Sequence, residues 1–279
     1  MGSHVLSTSV NPIHQKSLTL EQFRGAELMI TLSSDFGSPY PAAMRGVLLS
    51  KCDDRLVDIS HTFERGNIRT TAFWLREILP YFPPAVHLVV VDPGVGTDRA
   101  ILAIRVGEHA FVGPDNGVLY PVISTFTPEW EAFELTDAEA DSSTFHGRDV
   151  FAPLAAEIAT CGVARMEHIS SLEARSTITE LHFPDPVTTE THIHATVLAI
   201  DGFGNVITNV DGSTIADRFG ETMTVNGSSL PIARSYAFVE EGQALATIGS
   251  HGNIEIAVNR GRADSVYGLT EGDTIEITR

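Results

Sequence analysis

The apolar positions of the first half of the chain fall into two alternating rhythms. Short runs at residues 28–32, 56–59 and 86–91 read as strands, and the unbroken Val89-Val90-Val91 that closes the third predicts a strand buried on both faces. Between them, Met44, Val47, Leu48 and Leu49, and then Ile68, Ala72, Phe73, Leu75, Ile78 and Leu79, recur at the spacing of one buried helix face. Asn67 is placed to cap the second helix, and Tyr81-Phe82-Pro83-Pro84 to stop it. A β-α-β-α-β order predicts parallel strands joined by right-handed crossovers. Further strands are expected at 101–106, 110–112 and 133–135, and a helix with Val150, Leu154, Ala155 and Ile158 on its apolar face. Asp149 is expected to cap that helix, with His146 at its mouth.

The rhythm changes after Phe183-Pro184-Asp185-Pro186-Val187-Thr188-Thr189. Beyond it, short alternating segments at 195–200, 206–208, 223–225, 244–248, 254–258 and 274–277 are separated by Gly and Asn, with no strong helix. The fold class expected is therefore α/β: an N-terminal α/β domain with a largely parallel central sheet, and a smaller C-terminal all-β, barrel-like domain. The expected boundaries are an arm or tag at 1–27, the α/β domain at 28–183, a linker at 184–190 and the β domain at 191–279.

Composition narrows the partners. The 279 residues are 43% hydrophobic and carry a formal net charge of −18, so no basic stripe is available for nucleic acid. No apolar run approaches the ~20 residues of a membrane span. Cys52 and Cys161 lie far apart without metal-ligand spacing, which points to reduced thiols and a cytoplasmic setting.

Candidate chemistry gathers where strands stop. The run Val89-Val90-Val91 ends at Asp92, and Pro93, Gly94 and Gly96 bend the chain before Arg99. In open α/β sheets the crevice beyond the carboxyl ends of strands receives ligands. Asp92 and Arg99 either pair as a salt-bridged turn or serve such a ligand; this loop alone leaves both open. Asp35-Phe36-Gly37, Asp115-Asn116 and His146-Gly147-Arg148-Asp149 are three further polar loops of the same domain, and an Asp, an Arg and a His at one crevice are suited to position a water molecule. No P-loop, no GxGxxG after the first strand and no GxSxG accompany them. His192 and His194 alternate on a strand, where surface histidines outnumber metal ligands. Asp201-Gly202-Phe203-Gly204-Asn205 reads as an ordinary hairpin turn or as a binding loop, and Gly249-Ser250-His251-Gly252 as a plain turn.

Taken in order, Ser34-Asp35-Phe36-Gly37, residues 91–99, Gly113-Pro114-Asp115-Asn116-Gly117, residues 145–153, 201–209 and 254–259 resemble the S-adenosylmethionine hydroxide adenosyltransferase family, which is related to fluorinating and chlorinating enzymes acting on the same substrate. The resemblance implies a homotrimer with the substrate between the first domain of one subunit and the second domain of its neighbour. It implies hydrolysis of S-adenosyl-L-methionine to adenosine and L-methionine by attack at ribose C5′, with no metal and no cofactor. Asp92, Arg99 and His146 match the water-handling trio: Asp92 and His146 to accept hydrogen bonds from the water, Arg99 to hold Asp92 oriented. Asp35 matches a residue near the ribose, and Val95 falls in the matching loop after the third strand. Asp201 and Asn205 match residues holding the methionine portion; Ser250, Val258 and Asn259 match the neighbouring subunit's contribution.

Two departures stand out. Ser38 aligns with a usually acidic ribose-binding position, exchanging a charge-assisted hydrogen bond for a neutral one, and the aromatic residue that often covers the sugar or base is replaced near Gly66-Asn67. The alternatives are a non-catalytic adenosine or S-adenosylmethionine binding protein and a halide-dependent 5′-halogenase. An ionised carboxylate at Asp92 would repel a halide, and the long loop of the fluorinating enzyme is missing between Leu102 and Phe111, which ranks hydrolysis above halogenation.

Overall fold

The computed structural model describes residues 28–127, 129–136 and 142–278. The expected arm at 1–27 lies outside them.

The first sheet has seven strands: β1 (Met29–Ser34), β2 (Arg55–Ser60), β3 (Ala85–Val90), β4 (Ile101–Val106), β5 (His109–Pro114), β6 (Glu131–Leu135) and β7 (Leu172–Arg175). Their spatial order is β2-β1-β3-β5-β4-β6-β7. The four strands β2, β1, β3 and β5 run parallel, and β4, β6 and β7 continue antiparallel. The β-α-β-α-β reading is thus observed, and the strands expected at 101–106 and 110–112 pair as the hairpin β4–β5 around Gly107-Glu108. Every residue of β3 is buried. Helices cover both faces: α1 (Tyr40–Lys51) and α4 (Ala152–Cys161) on one side, α2 (Ile68–Ile78) and α3 (Tyr120–Phe126) on the other. A strand sandwiched in this way cannot alternate polar and apolar residues, which is why its sequence is apolar apart from His87, whose ring is bonded to Thr31 and His109 within the sheet.

Asn67 caps α2 as expected, its side chain accepting the Thr70 N–H at 3.0 Å. Asp149 does not cap α4. The chain enters that helix through a π-helical turn, Gly147–Phe151, and Asp149 accepts the Ser142 N–H and pairs with Arg148 instead. It therefore pins the incoming loop rather than the helix end.

The second sheet is built from β8 (Val187–Thr188), β9 (His192–Ile200), β10 (Val206–Asp211), β11 (Thr222–Val225), β12 (Ser228–Pro231), β13 (Ala244–Ile248), β14 (Asn253–Val258) and β15 (Thr274–Thr278). It runs β12-β11-β15-β9-β10-β14-β13, with β8 beside β9. A bridge between Ile232 and Ala246 brings the two ends together, giving the barrel-like form. One short helix, α5 (Ala263–Tyr267), follows β14. The segment expected as a linker carries β8 and supplies the Pro184 carbonyl to Asn209, so it is tied to the barrel.

The α2 helix joins the sheets. Phe73 is fully buried among Leu198, Ala199 and Ile207 of the barrel, a burial of the kind worth roughly 1.5–3 kcal/mol per large side chain. At the helix start, Thr70 Oγ1 and Asn67 Nδ2 donate to Glu271 at 2.5 and 2.6 Å.

Candidate active site

The β3 strand ends inside the sheet, and the chain must turn out of it at once. Asp92 is the first polar residue after the apolar run, and its side chain is only 3% exposed. Arg99, 10% exposed, returns along the same loop and grips it through both carboxylate oxygens: Nε to Oδ1 and Oδ2 at 3.0 Å each, Nη2 to Oδ2 at 2.5 Å. The guanidinium lies 5.1 Å from the Phe151 ring centroid, a cation–π contact. Its Nη2 also donates to His146 Nδ1 at 3.0 Å. Asp92, Arg99 and His146 therefore form one hydrogen-bonded chain across 54 residues of sequence.

Two glycines make this approach possible. Gly96 has φ +80°, and a Cβ there would sit 2.9 Å from the Ser143 carbonyl oxygen, so a side chain would push apart the loops bearing Arg99 and His146. At Gly147 a Cβ would meet the Phe36 ring at 3.0 Å, and Phe36 in turn packs edge-on to Phe145.

The contact to Arg99 fixes the imidazole. A guanidinium can only donate, so Nδ1 of His146 accepts and the neutral ring carries its proton on Nε2. Burial, and then the charge of Arg99, hold His146 below the ordinary histidine range, against the opposing pull of Asp92 and Asp149. A neutral His146 is thus a donor at its free nitrogen. The expectation had His146 accept from a water; the Arg99 contact occupies its accepting nitrogen and leaves Nε2–H to donate.

Asp35 sits just past β1, where its Oδ2 accepts the Gly66 N–H at 2.7 Å. Ser38 is exposed in the same loop. Val95 is half-buried in the Asp92 loop, its N–H on the Asp92 carbonyl at 3.2 Å.

The other five predicted binding residues are elsewhere. Asp201, Asn205, Ser250, Val258 and Asn259 line one cavity of about 940 Å³ in the barrel, to which α2 contributes Trp74. Asp92, Arg99 and His146 do not line it. Asp201 is occupied by its own loop: Oδ1 accepts the Phe203 and Asn205 N–H groups, and Oδ2 accepts Asn205 Nδ2, all at 2.9 Å. The turn reading of this loop is therefore observed, and the turn sets Asn205 in the cavity wall.

The sequence reading missed the polar floor of this cavity. Glu255 is 4% exposed and accepts the Tyr236 hydroxyl at 2.6 Å; that contact, after burial, pushes the Tyr236 hydroxyl well above its usual range. His251 lies 3.4 Å from Glu255. Glu255 alternates with Ile254 and Ile256 on β14, a period that signals which face a residue occupies without saying what covers that face. Among the described residues no group of three or more His, Cys, Asp or Glu is placed to hold a metal ion.

Comparison with known proteins converges on one family. Residues 30–169 match the SAM hydroxide adenosyltransferase N-terminal domain and residues 195–276 the corresponding C-terminal domain. A protein of Salinispora tropica named (R)-S-adenosyl-L-methionine hydrolase is 36% identical over 256 residues, covering 89% of this chain and 97% of its own. One of the same name from Thermus thermophilus is 36% identical over 259 residues, covering 88% and 97%. A fluorinase of Actinopolyspora mzabensis is more distant, at 24% over 293 residues. Among solved structures, an uncharacterized conserved protein from Thermotoga maritima superposes with a TM-score of 0.79 at 32% identity, covering 90% of this chain and 100% of its own. With both domain models matched in order and relatives above 30% identity aligned nearly end to end, this chain belongs to the SAM hydroxide adenosyltransferase family.

Proposed function

We propose that this protein hydrolyses S-adenosyl-L-methionine to adenosine and L-methionine. The observation that carries the reading is the Asp92–Arg99–His146 chain at the end of β3, in a family whose relatives bear that activity in their names. Water attacks C5′ as the C5′–S bond breaks. The sulfur keeps the bonding pair and leaves as a neutral thioether, so the leaving group needs no acid. The surplus proton passes from the attacking water to Asp92 and on to solvent. Atoms and charge balance with water alone, and the reading therefore includes neither metal nor cofactor.

The work left to the protein is alignment. Asp92 accepts one water hydrogen, and the Nε2–H of His146 donates to one oxygen lone pair, which turns the other toward C5′. Arg99 carries both partners on one planar group, so they cannot drift independently. Asp35, Ser38 and Val95 are assigned to the ribose side; Asp201, Asn205, Ser250, Val258 and Asn259 to the methionine and adenine side.

The reading includes a homotrimer with the site between subunits. Its support is that Asp92, Arg99 and His146 line no part of the barrel cavity of their own chain, the arrangement a site shared between one molecule's first domain and another's barrel would have. A cytoplasmic setting fits Cys52 and Cys161, both free thiols. The test is incubation with each sulfonium epimer of S-adenosyl-L-methionine, since the relatives are named for the (R) form, with and without halide. Adenosine and methionine in both media support the proposal. Intact substrate, or 5′-halo-adenosine, overturns it.

A further inference from the structure

A second hydrogen-bonded chain lies behind the Asp35 loop, and nothing in the proposed reaction uses it. Ser34, the last residue of β1, is completely buried, and its hydroxyl lies 2.7 Å from His61 Nδ1. On the far side of that imidazole, Nε2 lies 3.0 Å from Asp58 Oδ1, and Asp58 is held by Arg45 of α1. The carboxylate can only accept, so Nε2 donates to it; in the neutral ring Nδ1 then accepts from the Ser34 hydroxyl. The His61 carbonyl also accepts the Gly37 N–H at 2.8 Å.

The order Ser–His–Asp is that of a nucleophile relay, but a serine with no exposed surface cannot reach a substrate. The geometry serves a different end. Ser34 precedes Asp35, and Gly37 precedes Ser38, so His61 holds the loop by its side chain at one end and by its backbone at the other. Asp35 then reaches across to the Gly66 N–H. Resting on the proposed function, we infer that His61 is a positioning residue: through Ser34 it sets where Asp35 and Ser38 meet the ribose of the substrate.

Two near-isosteres separate its two sides. Asparagine places an oxygen where Nδ1 stands and keeps an acceptor for Ser34, but it does not reach Asp58. Glutamine reaches Asp58 with its amide N–H and offers nothing to Ser34. The expected result is that Ser34→Ala and His61→Gln raise KM about tenfold with kcat within about twofold, the equivalent of one hydrogen bond. His61→Asn should stay within about threefold of the parent on the same scale. The Ser34→Ala/His61→Gln double variant should be no worse than either single, because both break one contact.

Amide hydrogen exchange supplies a readout that does not require turnover. Gly37 and Gly66 should exchange faster in Ser34→Ala and His61→Gln, and at the parent rate in His61→Asn. Equal effects of asparagine and glutamine on KM and exchange, or a fall in kcat at constant KM, would overturn the positioning role. A parent protein that leaves the substrate intact would overturn the proposed function instead, while the exchange experiment still decides whether His61 holds the loop.

Discussion

The two sheets dispose of their apolar surface in opposite ways, and each puts its polar groups where that choice permits. In the first, β3 is buried at every position and flanked by helices on both faces. The one polar side chain along it, His87, is spent inside the sheet on Thr31 and His109, and the next appears where the strand stops, at Asp92. In the second, β15 alternates exposed and buried residues, and β14 spends its second face on a cavity floor that includes Glu255. A doubly covered sheet confines chemistry to its ends, whereas a barrel can offer a wall. Alignment of a small nucleophile suits the first, and recognition of an extended ligand suits the second.

The comparison can be broken at its strongest point first. Asp92→Asn keeps the shape but loses the anion, and turnover should fall about 10²–10⁴-fold, the range for a lost general base. Single-turnover product formation measures this, with a melting curve to verify folding; full activity would remove Asp92 from the mechanism. Second, Leu88→Ala on β3 should cost about 2–5 kcal/mol in denaturant unfolding, while Glu276→Ala on an exposed position of β15 should cost no more than about 0.5 kcal/mol. Comparable losses would erase the contrast between the sheets.

Acid provides a third test, because the first sheet holds a fully buried histidine, His87, against a half-buried one, His109. His87 is fully buried, bonded to Thr31 and His109. Burial, and for His87 the nearby His109 as well, depresses the pair from 6.5 to about 3 for His87 and about 4 for His109. The folded state therefore binds these protons more weakly than the unfolded one. Their contribution is complete above pH 6.5 and is lost as pH falls toward about 4 for His109 and about 3 for His87, at about 1.4 kcal/mol per pH unit per histidine. His87→Gln should flatten the acid limb of the unfolding profile. The smallest effect expected on substrate handling is in the barrel: Tyr236→Phe removes one hydrogen bond from Glu255, raising KM by up to about tenfold. An unchanged KM would take that floor out of substrate recognition.

Much of the first domain was legible because local rules and tertiary demands agree there. A strand covered on both faces announces itself as an apolar run, and its end at Asp92 was visible for the same reason. The partnership with His146 was not readable from spacing, since it depends on two loops meeting at Gly96 and Ser143; the family resemblance supplied it. Asp149 was misread because the π-helical turn at Gly147–Phe151 shifts the start of the helix. Short β12, beginning Ser228-Ser229, went unseen because its polar residues carry no strand pattern. Glu255 and Tyr236 stayed hidden because alternation specifies a face, and only the folded barrel shows that this face is enclosed.

The α2 helix has a consequence for how such a protein can be altered. Its Phe73 belongs to the barrel's packing while Ala72 and Leu75 belong to the first sheet's, and Glu271 of the barrel secures its first turn. The gene can be cut between the domains, but the physical seam runs through a helix encoded more than a hundred residues upstream. Swapping barrels among relatives, or expressing either half alone, would leave one side with an orphaned aromatic ring. A chimera therefore needs its donor's Asn67, Thr70 and Phe73 as much as the donor barrel itself.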